Sequence, residues 1–383
     1  METVRTALAH AAHEDLELWS ADVMSAYILS PLQPGQDVWM NDPEDPRGDT
    51  VLKLKKALYG LKSSARAWND HFNRWITSKG FHRSEEDPGM YVRGEGADRV
   101  TLLLFVDDAL TIAAKPALDL FRDEFKGGWS IRDYGEPKVF LGCDIERDRN
   151  NRTIKLFQRS YIDSIGQRMG LETSKPVNTP FEPNQVLTAM DDGHPRPDAA
   201  EYRSIVGMLM YCVTMTRLDC AYQVKELSRH LSNPTHTHMT AAKRVARYLY
   251  HTKNLGIIFN RNDERLIGYS DSNFSNCVDT RRSTGGHISL LYGSPVSWQS
   301  KLQDSISHST AEAEMRALNI LALETRWLRR MVSEITGDKI VNPTPLHCDN
   351  RATEMWTRNP HHHSKQKHME RAEFSVRDDV CQF

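Results

Sequence analysis

Two hydrophobic rhythms share this chain: short apolar runs broken by carboxylates, and longer stretches with apolar residues every three or four positions. The stretch TLLLFVDDALTIAA, residues 101–114, sets apolar runs at 101–105 and 110–113 on either side of Asp107 and Asp108. Such runs flanking a polar pair predict two strands joined by a tight turn. Upstream, ELWSADVMSAYI reads as a strand running into a turn or helix. In SSARAWNDHFNRWITSKG, Trp68, Phe72, Trp75 and Ile76 recur at helical spacing, Ser63 or Ser64 can cap the start, and Gly80 can close the end. TAAKRVARYLYHT sets Val245 and Leu249 on one side of a helix, with Lys243, Arg244 and Arg247 elsewhere. After residue 254 the pattern predicts strands near 266–271, 286–291 and 295–298, then a helix from 310 to about 331. A strand, TPLHCD, ends at Asp349, and a further helix follows.

The clearest break is VNTPFEPNQVLTAMDDGHPRPDAA, residues 177–200, whose Pro, Asp and Asn content reads as a long connector. A softer break lies near HTKNLGIIFNRNDERL. Three blocks result: 1–150, a mostly helical 151–253, and 254–383. A length of 383 residues supports two or three domains with proper cores. A formal net charge of −2 argues against a wholesale polybasic binder, while leaving room for a local basic groove. The six cysteines are scattered without a C-x-x-C pair, which points to reduced thiols rather than a disulfide frame or zinc module. No run is apolar for long enough to cross a bilayer, and METVRTALAHAAHEDLELW carries acids inside its apolar part, unlike a signal peptide. The expectation is a soluble, intracellular protein.

Adjacent carboxylates between apolar strands need a reason, because like charges repel and desolvation opposes ionisation. A solvated turn is the ordinary reading. The alternative is a site for hard divalent cations, which want oxygen ligands. Asp22, again at the end of a strand-like run, is the third candidate ligand. Two ions held this way can activate one oxygen and stabilise another during phosphoryl transfer.

Several segments resemble one family. FVDD resembles the Y-x-D-D box of reverse transcriptases, and is most similar to the YVDD of copia-type LTR retrotransposons. ADVMSAYI resembles their DVKNAFL, LKKALYGLKSSARAW their LKKSLYGLKQSPRQW, and YGEPKVFLGCDI their LGELKYFLGIEI. The long YRSIVGMLMYCV…KRVARYL segment and the GYSDSNF…TAEAEMRAL block are similar to copia segments too, the latter to their ribonuclease H part. The resemblance runs from the first residue to about Arg377, with the motifs in the family's order.

The resemblance implies an α/β (α+β) fold. It places a palm-type polymerase domain with partial fingers at 1–150 and a helical thumb/connection at 151–253. A ribonuclease H-like mixed-sheet domain follows at 254–383. It implies an RNA-directed DNA polymerase with ribonuclease H activity, working with two magnesium ions per site, manganese being a possible substitute. Partners would be RNA template, DNA primer, RNA/DNA hybrid and deoxynucleoside triphosphates, in the cytoplasm within virus-like particles. Asp22, Asp107 and Asp108 would be polymerase metal ligands. Val23 would lie in the backbone near the incoming nucleotide, Tyr27 under its sugar, and Tyr59, Gly60 and Lys62 in a turn near nucleotide and template. Asp271, Glu314 and Asp349 would be nuclease metal ligands, with His368 and Glu370 completing that site. Glu312 is the alternative to Glu314, but STAE at 309–312 also fits a capping box. His361, His362 and His363 could form a metal cluster, although a charged loop is the more ordinary reading. Lys53, Lys55, Lys56, Lys62 and Arg66, and separately Lys243, Arg244 and Arg247, would hold phosphates without reading bases.

Departures from the pattern include Ala65 and Leu218 for proline, Met239 for tryptophan and Phe374 for histidine. The chain opens inside the family's fingers region and carries no protease, integrase or zinc knuckle, which reads as a piece of a polyprotein. The competing expectation is an inactive, truncated relic that at most binds nucleic acid.

Overall fold

The structure is a computed structural model, and it describes residues 1–32, 35–190, 192–358 and 376. It divides into two compact units, one of Leu16–Phe140 with Glu334–Gly337, the other of Met1–Asp15, Leu141–Ser333 and Asp338–Phe383. The connector pattern predicts three blocks. Here the sequence beyond residue 141 falls largely into one unit, and the N-terminal helix joins it.

The first unit is built on a six-stranded antiparallel sheet. Its order is His82–Arg83, Met90–Arg93, Val100–Phe105, Asp108–Ala113, Glu17–Val23 and Ile131–Gly135. Helices Ser64–Ser78 and Lys115–Gly128 supply the apolar cover, with Trp68, Phe72 and Ile76 at four-residue spacing and Leu118, Phe121 and Phe125 on the second helix. Trp19, Ala21 and Val23 enter the same core from alternate positions of one strand. Gly80, with φ +81°, follows the first helix in the left-handed conformation that ends it. The start differs from expectation. Ser63 occupies the cap position with helical backbone angles (φ −87°, ψ −12°) and makes no capping bond, while its hydroxyl accepts from Gln36 Nε2 at 2.7 Å.

The second unit carries two sheets and a helical cluster. Cys143–Asp148, Thr153–Phe157 and Gly256–Phe259 lie side by side, antiparallel. Helices Arg159–Met169, Ala199–Met215, Ala221–Ser228 and His236–His251 enclose a core that includes Ile162, Tyr202, Leu209, Val245 and Leu249. The other sheet runs in the order Ser294–Leu302, Thr284–Leu291, Ile267–Asn273, Leu346–His347; its first three strands are antiparallel and its last is parallel to Ile267–Asn273. The Thr310–Thr336 helix links Ser294–Leu302 to Leu346–His347, and Arg351–Arg358 follows. The expected TPLHCD strand is short. Only Leu346 and His347 pair, leaving Cys348 and Asp349 beyond the ladder.

The N-terminal helix Glu2–Glu14 is held by a buried arginine that the hydrophobic pattern did not reveal. Arg5 donates to the carbonyls of Val296 at 2.8 Å, Thr214 at 2.7 Å and Met215 at 3.2 Å, and to Glu2 Oε1 at 2.8 Å. Its guanidinium lies 3.9 Å from the Trp298 ring centroid. Every described cysteine is a free thiol, and no described helix is long and apolar enough to cross a membrane.

Asp133 tests how charge is settled in the first unit. Burial alone would raise its pKa, but donors from Lys126, Trp19, the Gly135 N–H and Arg122 outweigh that and hold the carboxyl well below the usual range. A depressed native pKa contributes stability above the unfolded value, lost as pH falls through the native one. Asp133→Asn is therefore expected to cost about 2 kcal/mol at pH 7, with the deficit shrinking below about pH 4. Urea unfolding at pH 7 and pH 3 checks this; an equal deficit at both would contradict it.

Candidate functional site

Antiparallel pairing of Glu17–Val23 with Asp108–Ala113 sets Asp22 directly across from Asp108. Asp107 sits in the turn between Val100–Phe105 and Asp108–Ala113, where Phe105 pairs with Asp108. Two bonds hold that turn in place. The Val23 N–H donates to the Asp107 carbonyl at 2.8 Å, and the Trp68 indole N–H donates to the Val106 carbonyl at 2.6 Å. Val106 has φ +60°, a left-handed conformation that a β-branched residue adopts only under constraint. The three carboxylates are thus gathered at one end of the sheet. Burial, with Asp107 and Asp22 adding to it, raises the Asp108 pKa. No salt bridge to any of the three appears among the described residues.

Aromatic rings stand beside these acids. Tyr27 and Tyr59 lie 4.7 Å apart between ring centroids, and Tyr59 is half exposed. Burial, then the charges of Asp107, Tyr27 and Asp22, raise the Tyr59 phenol pKa, so the ring senses the acid group electrostatically. Gly60 follows at φ +97°, a turn conformation suited to glycine, with open space where a side chain would project. Lys62 is exposed nearby in sequence. Val23, beside Asp22, has a fully buried side chain, and its N–H donates to the Asp107 carbonyl.

The second group of acids lies in the other unit. Asp271 is on Ile267–Asn273, Glu314 is in the early Thr310–Thr336 helix, and Asp349 follows the Leu346–His347 strand. The Ser272 N–H donates to Glu314 Oε1 at 2.9 Å, placing Glu314 against the residue after Asp271. Thr353 Oγ1 donates to the Ala311 carbonyl at 3.0 Å, tying the segment after Asp349 to the start of the same helix. Burial, reinforced by Asp271 and Asp349 against the Ser272 N–H, pushes the Glu314 pKa up to about 7. Glu312 is engaged elsewhere. It accepts the His308 N–H at 2.9 Å, pairs with Arg316 Nη2 at 2.9 Å, and its own N–H donates to Ser309 Oγ at 3.1 Å. The helix-start explanation therefore accounts for Glu312, and Glu314 is the one facing the other acids.

Other expected residues are placed less uniformly. Lys53 pairs with Asp37 at 2.6 Å, while Lys55 and Lys56 are exposed. Lys243 is exposed, but Arg244 ties Glu182 and Thr179 of the connector to the His236–His251 helix, and Arg247 is partly buried. His361, His362, His363, His368 and Glu370 lie outside the described residues. Sequence reading passed over Cys348, whose Sγ lies 3.7 Å from Glu314 Oε2; its position directly before Asp349 was the available signal.

Residues 1–183 match the family model described as reverse transcriptase (RNA-dependent DNA polymerase). The chain is 35% identical over 373 residues to the retrovirus-related Pol polyprotein from transposon RE1 of Arabidopsis thaliana, covering 96% of this chain and 25% of that protein. It is 31% identical over 383 residues to the corresponding polyprotein from transposon TNT 1-94 of Nicotiana tabacum, with 97% and 28% covered. A putative transposon Ty5-1 protein of Saccharomyces cerevisiae is 32% identical over 300 residues, 76% of this chain and 96% of that protein. The chain belongs to the copia-type retrotransposon reverse transcriptase family. It spans about a quarter of the length of the Pol polyproteins it matches.

The family model covers all of Asp22, Asp107 and Asp108, whereas the Asp271–Glu314–Asp349 group lies beyond it. Glu314 gives that second group a measurable signature. Its raised native pKa means the folded chain keeps a proton between about pH 4.5 and 7 that the unfolded chain has lost. Stability is then present at low pH and falls as pH rises through that window. In chelator, Glu314→Gln is expected to stabilise the protein above pH 7 by up to about 3 kcal/mol, and to change little at pH 4.5. Thermal unfolding at the two pH values measures the difference; equal effects at both would contradict it.

Proposed function

We propose that this chain is an RNA-directed DNA polymerase with a second, ribonuclease H-type nuclease site, each using two magnesium ions for phosphoryl transfer. The observation that carries the polymerase reading is the strand register that sets Asp22 across from Asp108, with Asp107 in the adjoining turn. The donor set is all oxygen, and Asp108 carries a raised pKa with no salt bridge to it among the described residues, which is the chemistry a hard divalent ion fits. Asp22, Asp107 and Asp108 would hold magnesium there. When bound, magnesium supplies charge neutralisation on phosphate oxygens and a more reactive attacking oxygen.

The chain's own residues do the positioning. Tyr27 and Tyr59 would form an aromatic wall beside the incoming deoxynucleoside triphosphate, a flat surface that disfavours a 2′-hydroxyl. Gly60 would let backbone approach the nucleotide, and Lys62, Lys55 and Lys56 would hold template and primer phosphates. The regions keep their proposed roles: palm with partial fingers in 1–150, thumb/connection in 151–253, nuclease in 254–383.

The nuclease reading is supported by a sheet of three antiparallel strands joined through one helix to a parallel fourth. Further support is that Asp271, Glu314 and Asp349 come from that sheet, that helix and the segment after the fourth strand. These three would hold magnesium, and RNA in an RNA/DNA hybrid would be the strand cut. Lys243 would contact hybrid phosphates, while Arg244 would act by fixing the connector. A cytoplasmic setting in virus-like particles is part of the same proposal.

Primer extension on an RNA template with magnesium is expected to fall at least about 100-fold in Asp108→Asn. Equal rates in both proteins would remove the polymerase assignment. Separately, a hybrid with labelled RNA is expected to be cleaved by the wild-type chain and not by Asp271→Asn; matched cleavage by the two would remove the nuclease assignment.

A further inference from the structure

The second acid group contains a donor that magnesium chemistry does not use. One atom each from Glu314, Cys348 and Asp349 falls within 4.8 Å of the others. Ligands bound to zinc at about 2.0–2.3 Å lie roughly 3.3–3.8 Å apart, so small side-chain rotations close this group onto one ion. The Glu314 side chain is 4% exposed, and the neighbour of its Oε2 is the Cys348 sulfur rather than a cation. A thiol is a weak hydrogen-bond donor, so this buried oxygen is poorly satisfied by it. Asp349 is exposed, which leaves a route for an ion and a position for water.

Sulfur changes which ions the group prefers. Magnesium takes oxygen ligands, whereas borderline and soft ions gain from a thiolate. We propose that Glu314, Cys348 and Asp349 form a mixed sulfur–oxygen site for a borderline or soft divalent cation such as zinc. On binding, the metal–sulfur bond forms as the S–H bond breaks, and the proton leaves to solvent. Two of the three ligands are shared with the proposed nuclease site, so zinc would exclude magnesium there. That consequence rests on the nuclease reading; the binding itself does not.

Cobalt(II) titrated into the whole chain, as a coloured stand-in for zinc, tests the site without any activity readout. The expected result is a sulfur-to-cobalt charge-transfer band that saturates at one equivalent, is lost in Cys348→Ser, and is displaced by zinc. Asp349→Asn is expected to keep the band while raising the half-saturating cobalt at least about 10-fold. No band in the wild type would overturn the proposal, as would a band that survives Cys348→Ser, because the sulfur would then come from another cysteine. Should Cys348→Ser fail to fold, the Asp349→Asn titration decides alone: an unchanged half-saturation overturns the proposal. Hybrid cleavage is measured apart, so failure of the nuclease reading leaves this result readable.

Discussion

In an antiparallel pair, each residue's face and its opposite number are both set once the register is set, and a slip of one position reverses every side chain. The pairing of Glu17–Val23 with Asp108–Ala113 is such a constraint. Trp19, Ala21 and Val23 all point into the core of the first unit, so a slip would expel an indole and two aliphatic side chains together. That apolar cost, on the order of several kcal/mol, is what keeps Asp22 opposite Asp108. The position of the acids is thus enforced by residues that carry no charge. The Trp68 indole adds a second restraint by holding the carbonyl of Val106 in a strained turn.

Each unit treats charge in two contrasting ways. Arg5 and Asp133 are surrounded by partners: Arg5 donates to three carbonyls and a carboxylate, and Asp133 accepts from an indole, a backbone N–H, a lysine and an arginine. Asp108 and Glu314 are instead pressed against other acids, and both have raised pKa values. Structural charges are neutralised where they stand, whereas these two keep an unmet demand for positive charge. Such a demand, at the ends of sheets, is what sites pay in stability for function. The matched family model and this electrostatic asymmetry bear on the same residues in the first unit, while the model ends before Glu314.

Much of the local structure was legible because it depends on neighbours in sequence. The acid hairpin, the Trp68–Phe72–Ile76 helix, the long helix carrying Glu314 and the strand carrying Asp271 each follow from a period of two or from three-to-four spacing. Glu312 could be separated from Glu314 in advance, because a capping role is readable three residues from Ser309. Other features had no local signal. Ser63 makes no capping bond and is reached instead by Gln36, 27 positions away. Arg244 looked like a solvated phosphate ligand until Glu182 of the connector took it. Arg5 gave no hint of burial, since its acceptors are backbone carbonyls more than 200 residues away.

The linear order of residues settled which segments become strands and helices, and supplied acids at their ends, because those outcomes rest on periodicity and on caps within a few residues. It also carried the family likeness, which is a property of order alone. Tertiary structure decided which acids meet, which cations remain free and that a thiol joins Glu314 and Asp349. Those outcomes are set by register between distant strands and by competition for hydrogen-bond donors and acceptors, and neither quantity exists until the chain has closed on itself.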